Sequence, residues 1–350
     1  IWSYVRFEMS YDNFHKDVDR LYRVNQTLIW SPDGGMMGST GPQLALVLRD
    51  EFPEVEEVLR INTPGGYLVR YQQPNGQIKA FNESNVLAAD SNFFNFFSIP
   101  LKEGNPNAAL KGVDKVVISN EVAEKLFGEE QALGKLLQFG DNDKVVEVTG
   151  VAAKQPENMH FHFDYLISIY TNPNVKRMEW SWIWTQEATY VKLRPGTSST
   201  DLEAKLQSMV PLHVKPSVAA MGMNYDEFMK GKGDWKFALQ PVKDIRLYSD
   251  RIDNRIGPTG DIKYIQIFAL VAAFVLLLAI INFVNLSTAR GASRAKEVGV
   301  KKVLGAMRQS LILQFQLESI IMAAVATLIG LGLLELFRII ISSALAMDMP

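Results

Sequence analysis

The sequence predicts an α+β domain over residues 1–263 followed by α-helical transmembrane segments, and three observations carry that prediction. Residues 264–289 are twenty-six consecutive positions without a charged side chain. A bilayer core about 30 Å thick needs roughly 20 apolar residues in a helix, so this run reads as a span. A second stretch, 311–347, is interrupted only by Glu318, Glu335 and Arg338. Ahead of both, short strand patterns alternate with short helix patterns and turn residues, as in a mixed domain.

Taken in order, residues 21–29 have strand propensity, 31–41 form a Gly/Pro-containing loop, and 42–49 read as a helix with Pro42 in its first turn. Pro53 and Glu54 are expected to open another short helix. Residues 58–61 and 67–71 read as strands around the Pro64-Gly65-Gly66 turn, and Pro74-Asn75-Gly76 marks a hairpin tip. Phe93, Phe94, Phe96 and Phe97 form an aromatic cluster. A strand at 115–119 leads into a helix at 120–127, and strands follow at 145–152 and 161–170. The last outer section reads strand 189–193, turn Pro195-Gly196, helix 199–209 and strand 235–241. The early and late strand-helix-strand units suggest one βαβ-type subdomain built from both ends of the outer sequence, with a strand-rich subdomain inserted at about 75–184.

Charge orients the chain. The whole carries a net charge of −2, but residues 1–263 hold 29 Lys/Arg against 34 Asp/Glu, which leaves no footprint for nucleic acid. Between the spans lie Arg290, Arg294, Lys296, Lys301, Lys302 and Arg308 against a single acid, Glu297. Short basic loops stay in the cytoplasm, so this segment faces in and residues 1–263 face out. The same cations would touch anionic lipid headgroups. Zero cysteines exclude disulfides and thiolate metal sites. The first residue is Ile1 and no signal peptide is present, so the chain is expected to be a fragment whose outer domain follows an N-terminal span.

Several features invite a chemical reading. GEEQALGK at 128–135 imitates a phosphate loop, but five residues separate its glycines and Leu136 stands where Ser or Thr would bind magnesium. His160 and His162 would share one side of a strand, as a metal pair requires, yet zinc needs three or four convergent ligands, and His15 and His213 offer no such context. Trp180, Trp182 and Trp184 would line one strand face, a pattern that more often packs than binds. No Ser/His/Asp set or paired-carboxylate motif can be assembled, so the expectation is a non-catalytic chain without a metal. Residues 292–304, in contrast, have helical composition, with Glu297 and Lys301 spaced as an i,i+4 pair and Gly299 and Gly305 as points of close approach or flexibility. They are expected to form a short amphipathic helix tied at both ends to membrane rods. Asn282 and Asn285 could bond between helices, and Ala326 and Gly330 allow a close helix approach.

RAKEVGVKKVLGA at 294–306 closely resembles the signature after the second membrane helix of MacB/FtsX-type permeases, membrane subunits of ABC transporters. The resemblance continues through Glu318-Ser319. It also covers the outer domain, in SYDNFH at 10–15, LYRV at 21–24, VVISNEVAEKLFG at 116–128, LGK at 133–135 and VEVTGV at 146–151. It implies a periplasmic domain with porter-like βαβ units and an inserted sabre-like subdomain. It further implies a bacterial inner-membrane, multi-pass permease of which this chain holds 264–289 and 311–345 as the second and third helices and lacks the first and fourth. Residues 290–310 become the cytoplasmic coupling segment. Within it Lys296, Glu297, Lys301 and Lys302 make polar contacts to an ABC ATPase, Val298, Val300, Val303 and Leu304 pack against it or against the membrane helices, and Arg294, Gly299 and Gly305 belong to the same coupling segment. No cofactor is expected in this chain, since ATP and Mg would sit on the partner ATPase. Further implied partners are a second permease copy or a related permease, a periplasmic adaptor and an outer-membrane channel. The alternatives are an FtsX-like transmembrane regulator of a periplasmic cell-wall enzyme and a membrane-anchored metalloenzyme using His160 and His162.

Overall fold

A computed structural model describes residues 2–31, 35–140 and 144–345, with side chains at all of these except 292–293 and 338–345. The chain divides into two units, Ile1–Leu270 and Val271–Pro350.

The outer unit is organised by one long mixed sheet. Its first part contains β1 (Leu21–Thr27), α1 (Pro42–Glu51), β2 (Val55–Asn62), β3 (Glu187–Leu193), α2 (Ser199–Leu206) and β4 (Phe237–Pro241). β1 lies antiparallel between β3 and β4, and β3 lies antiparallel between β1 and β2. The lateral order is therefore β4-β1-β3-β2. The βαβ units expected at the two ends of the outer sequence are present but split, each pair of parallel strands being separated by a strand of the other unit. Two interleaved units give four strands with both helices on one face, where Leu44, Val47, Leu48, Leu202 and Leu206 cover Val24, Val191 and Phe237. The alternate residues Leu21, Leu59 and Tyr190 point to the opposite face. There the expected phenylalanine cluster packs, with Phe93 and Phe97 rings 5.5 Å apart.

Beyond β2 the sheet continues through Val86–Ala89, Tyr165–Ser168, Lys115–Ile118, Lys144–Ala152, Leu136–Phe139, Tyr67–Gln72 and Ile78–Glu83. The VVISNEVAEKLFG segment supplies a strand and the helix Asn120–Phe127. Ser119 caps that helix by accepting from the Val122 N–H at 3.2 Å, and Gly128, with φ of 65°, ends it.

Three local expectations fail. Pro53 and Glu54 form a turn instead of a helix, because the apolar run that follows joins β2 from Val55 onward. Strand character at 161–170 is confined to Tyr165–Ser168, so His160 and His162 lie in a loop. The three tryptophans also lie outside any strand: Trp182 is buried in the helical-face core while Trp180 is half exposed.

The second unit begins within α3 (Ile262–Val303), and α4 (Arg308–Leu345) follows. Their stretches Ile262–Gly291 and Arg308–Phe337 are long and apolar enough to cross a bilayer and expose apolar side chains all round. A helix apolar on every side finds its solvent in lipid.

The separate short helix expected at 292–304 is not there. α3 runs unbroken for 42 residues, through Gly291 and Gly299, because single glycines cost a helix only about 1 kcal/mol each. The break comes at Gly305, whose φ of 89° is left-handed. Ala306 N–H donates to Lys301 C=O and Gly305 N–H to Lys302 C=O, each at 3.0 Å, which is the paired bonding of a Schellman stop. The connection between the rods is therefore only Leu304 to Met307.

Candidate functional site

The residues expected to couple, 294–305, occupy the last turns of α3 and the tight turn after it. Lys296, Lys302 and Arg308 are exposed and unpaired among the described residues. Of the apolar side chains expected to pack on a partner or on the helices, Val300 is 61% exposed, Val303 89% and Leu304 80%, and Met307 beside them is 75% exposed. Only Val298 is half-buried. An apolar tip rimmed by cations is suited to an apolar groove with acidic edges.

Lys301 and Arg294 each hold a partner on α4. Lys301 Nζ donates to Glu297 Oε1 at 2.6 Å and to Gln314 Oε1 on α4 at 3.1 Å, and the Lys301 hydrogen bond holds the Glu297 carboxyl below its usual range. Arg294 Nη2 donates to Glu318 Oε1 at 2.5 Å, with the guanidinium 5.1 Å from the Phe315 ring centroid. The side chains of Ala292 and of Arg338, expected near the far end of the second span, lie outside the described residues.

The outer unit holds buried polar groups that the sequence did not single out. Asp12, whose φ of 60° is left-handed, is fully buried. Its Oδ1 accepts from His160 Nδ1 at 2.8 Å, from the His160 backbone N–H at 3.2 Å and from His15 Nε2 at 3.2 Å. His15 Nδ1 reaches the Phe97 carbonyl at 2.6 Å, and Tyr190 Oη lies 3.0 Å from His160 Nε2. Burial pushes the Asp12 carboxyl up, but the His160 and His15 rings outweigh it and hold it at about 2. Burial pushes His160 down against the pull of Asp12, and its two ring nitrogens are taken up by Asp12 and Tyr190. His162 is exposed, and its Nε2 bonds the Pro156 carbonyl. The two histidines do not converge, because the loop turns one inward and the other to solvent.

Arg23, in LYRV, is also fully buried, with Nε 3.0 Å from Asn25 Oδ1 and Nη2 2.8 Å from Gln240 Oε1, and it bonds Asn254. Its guanidinium passes so close to Gly38 that a Cβ there would stand 2.6 Å from Cζ. The N-terminal helix Trp2–Glu8 joins the start of α3: Val5 packs with Leu247 and Ile265, and Glu8 forms a bidentate pair with Arg246 at 2.9 and 3.0 Å. An aspartate, a histidine and an arginine in two short motifs, Asp12, His15 and Arg23, were the available signal. Their convergence with His160 and Tyr190, well over a hundred residues away, was not readable.

At the start of β3, Glu187 is buried with both carboxylate oxygens unpaired among the described residues. Arg60 stands 3.9 Å away but commits its fork to Asp90 at 2.9 and 3.0 Å. Burial pushes the Glu187 carboxyl up to about 8. An acid raised on folding contributes most below its unfolded value and loses that contribution as pH climbs through its folded value, so the full chain should lose stability from about pH 4.5 to 8. Glu187→Gln should flatten this dependence and raise the melting temperature at pH 8 relative to the parent, as read from melts across that range.

Comparison with known proteins agrees with this layout. The family described as MacB-like periplasmic core domain matches residues 1–209, and that described as FtsX-like permease C-terminal matches 269–350. The ABC transporter permease YvrN of Bacillus subtilis is 24% identical over 92% of this chain and 76% of its own length. The macrolide export ATP-binding/permease protein MacB of Bdellovibrio bacteriovorus is 23% identical over 89% of this chain. The chain spans 45% of that protein and 33% of the Neisseria meningitidis MacB. Among solved structures, a domain described as part of a permease protein from Porphyromonas gingivalis aligns with a TM-score of 0.52 at 23% identity, covering 65% of this chain and 91% of that one, and shares the fold of the outer unit.

Proposed function

The chain belongs to the MacB/FtsX family of ABC transporter permeases, a membrane protein with a periplasmic domain, and from that premise we propose that it exports by mechanotransmission in the bacterial inner membrane. A cytoplasmic ABC ATPase, holding ATP and Mg, docks on the apolar tip formed by Val300, Val303, Leu304 and Met307 and on the cations Lys296, Lys302 and Arg308. The observation that carries this reading is the unbroken α3 helix. It starts with Ile265 packed on Val5 and Leu247 of the outer unit and ends at that tip. A continuous helix resists bending because each turn is closed by its own hydrogen bonds, so a push on one end is felt at the other. The chain itself supplies lever and platform, not catalysis. A second permease copy or a related permease completes the machine, and an adaptor with an outer-membrane channel would receive the cargo.

Affinity purification of the full chain from membranes tests the proposal. An ATP-binding chain with a phosphate loop should co-purify, and its turnover should change when the permease is added. Absence of any such chain, with a cell-wall hydrolase recovered in its place, would overturn the export reading.

A further inference from the structure

We propose that Arg294 and Glu318 form a latch that makes the cytoplasmic ends of α3 and α4 a single stiff hairpin. The inference rests on the coupling reading above and names positioning residues for it. Arg294 lies nine residues before the end of α3 and Glu318 ten residues after the start of α4. At 1.5 Å per residue both stand about 14 Å from the turn, so the pair is a level rung between the arms.

The rung closes at 2.5 Å, and the guanidinium lies over Phe315 one turn from Glu318. A second tie, Lys301 to Gln314 at 3.1 Å, lies nearer the tip. The Schellman stop at Gly305 fixes the turn itself. Glu318 falls inside the apolar stretch Arg308–Phe337, and Arg294 follows Ile262–Gly291 by three residues. At that boundary an unpaired charge is poorly solvated, so each partner holds the other in place. Among the described residues, the other named ties below the membrane are the four-residue turn and the Lys301–Gln314 hydrogen bond. Without the rung, force applied at the tip would splay the arms before it moved the spans.

The test uses the full chain in lipid nanodiscs, without any ATPase, carrying spin labels at the exposed positions Val300 and Leu313. The parent should give one narrow distance distribution. Glu318→Gln should broaden it, and the exchange Arg294→Glu with Glu318→Arg should narrow it again, a rescue that a merely well-packed pair would not show. An unchanged distribution in Glu318→Gln, or no recovery in the exchanged variant, overturns the latch. Because no ATPase is present, failure of the docking proposal leaves this result untouched. Adding the co-purified ATPase to the same variants without labels, with Val300 intact, then reads the consequence: Glu318→Gln should lower permease-dependent turnover on the order of tenfold, and the exchange should restore it.

Discussion

Alanine at position 12 is expected to destabilise the outer domain by roughly 3 to 5 kcal/mol, the cost of leaving several buried hydrogen-bond donors without their acceptor. The Asp12 carboxylate is the common acceptor for the His15 ring, the His160 ring and the His160 backbone. Its loss leaves three buried donors without a partner and frees the segment leading from the Trp2–Glu8 helix into β1. For a domain of this size the melting temperature should fall on the order of 10 °C. Asp12→Asn separates shape from charge, since asparagine tolerates the left-handed backbone that Asp12 adopts. The Asp12 carboxyl ordinarily titrates near 3.8 and is held at about 2. A depressed acid contributes above its unfolded value and loses that contribution as pH falls through its folded value. The asparagine variant should therefore lose roughly 2 kcal/mol at pH 7 and converge with the parent near pH 2. Thermal melts of the full chain in detergent at several pH values measure both effects. Equal melting temperatures for Asp12→Ala and the parent would remove the cluster from any role in holding the domain together.

Charge reversal at the exposed cations Lys296 and Lys302 should abolish most permease-dependent ATP turnover, on the order of tenfold or more, with the outer domain still folded. The structure refines which residues to change. Lys301 is tied to Glu297 and Gln314, so glutamate there would disturb the hairpin itself and confuse two causes. Lys296 and Lys302 carry no such tie among the described residues, and their reversal acts on a docking partner alone. The readouts are ATP turnover of the co-purified ATPase with and without each permease variant and its retention on immobilised permease. Full retention and turnover with both lysines reversed would move the docking surface away from this tip.

Some of this was legible because it depends on residues close together in sequence. The two apolar runs, the basic turn between them, the Pro42 helix start and the Ser119-capped helix all follow from neighbours within one or two turns. For the same reason the discarded phosphate loop was readable from spacing alone. The family resemblance likewise rested on short contiguous motifs. The helix predicted to stand apart at 292–304 failed because composition does not say where a helix stops; a left-handed Gly305 and its two backward hydrogen bonds do.

What the sequence by itself determined is the class of the protein: a mixed outer domain, two membrane-crossing rods and a cationic turn between them, since hydrophobic period, length and charge sign are local quantities. Only the tertiary structure decided how the strand units interleave, that His160 bonds Asp12 and Tyr190, and that Arg294 belongs to Glu318. Each depends on residues brought together from 24 to 219 positions apart. Such contacts are selected by the burial and charge balance of the whole fold, which no stretch of sequence contains.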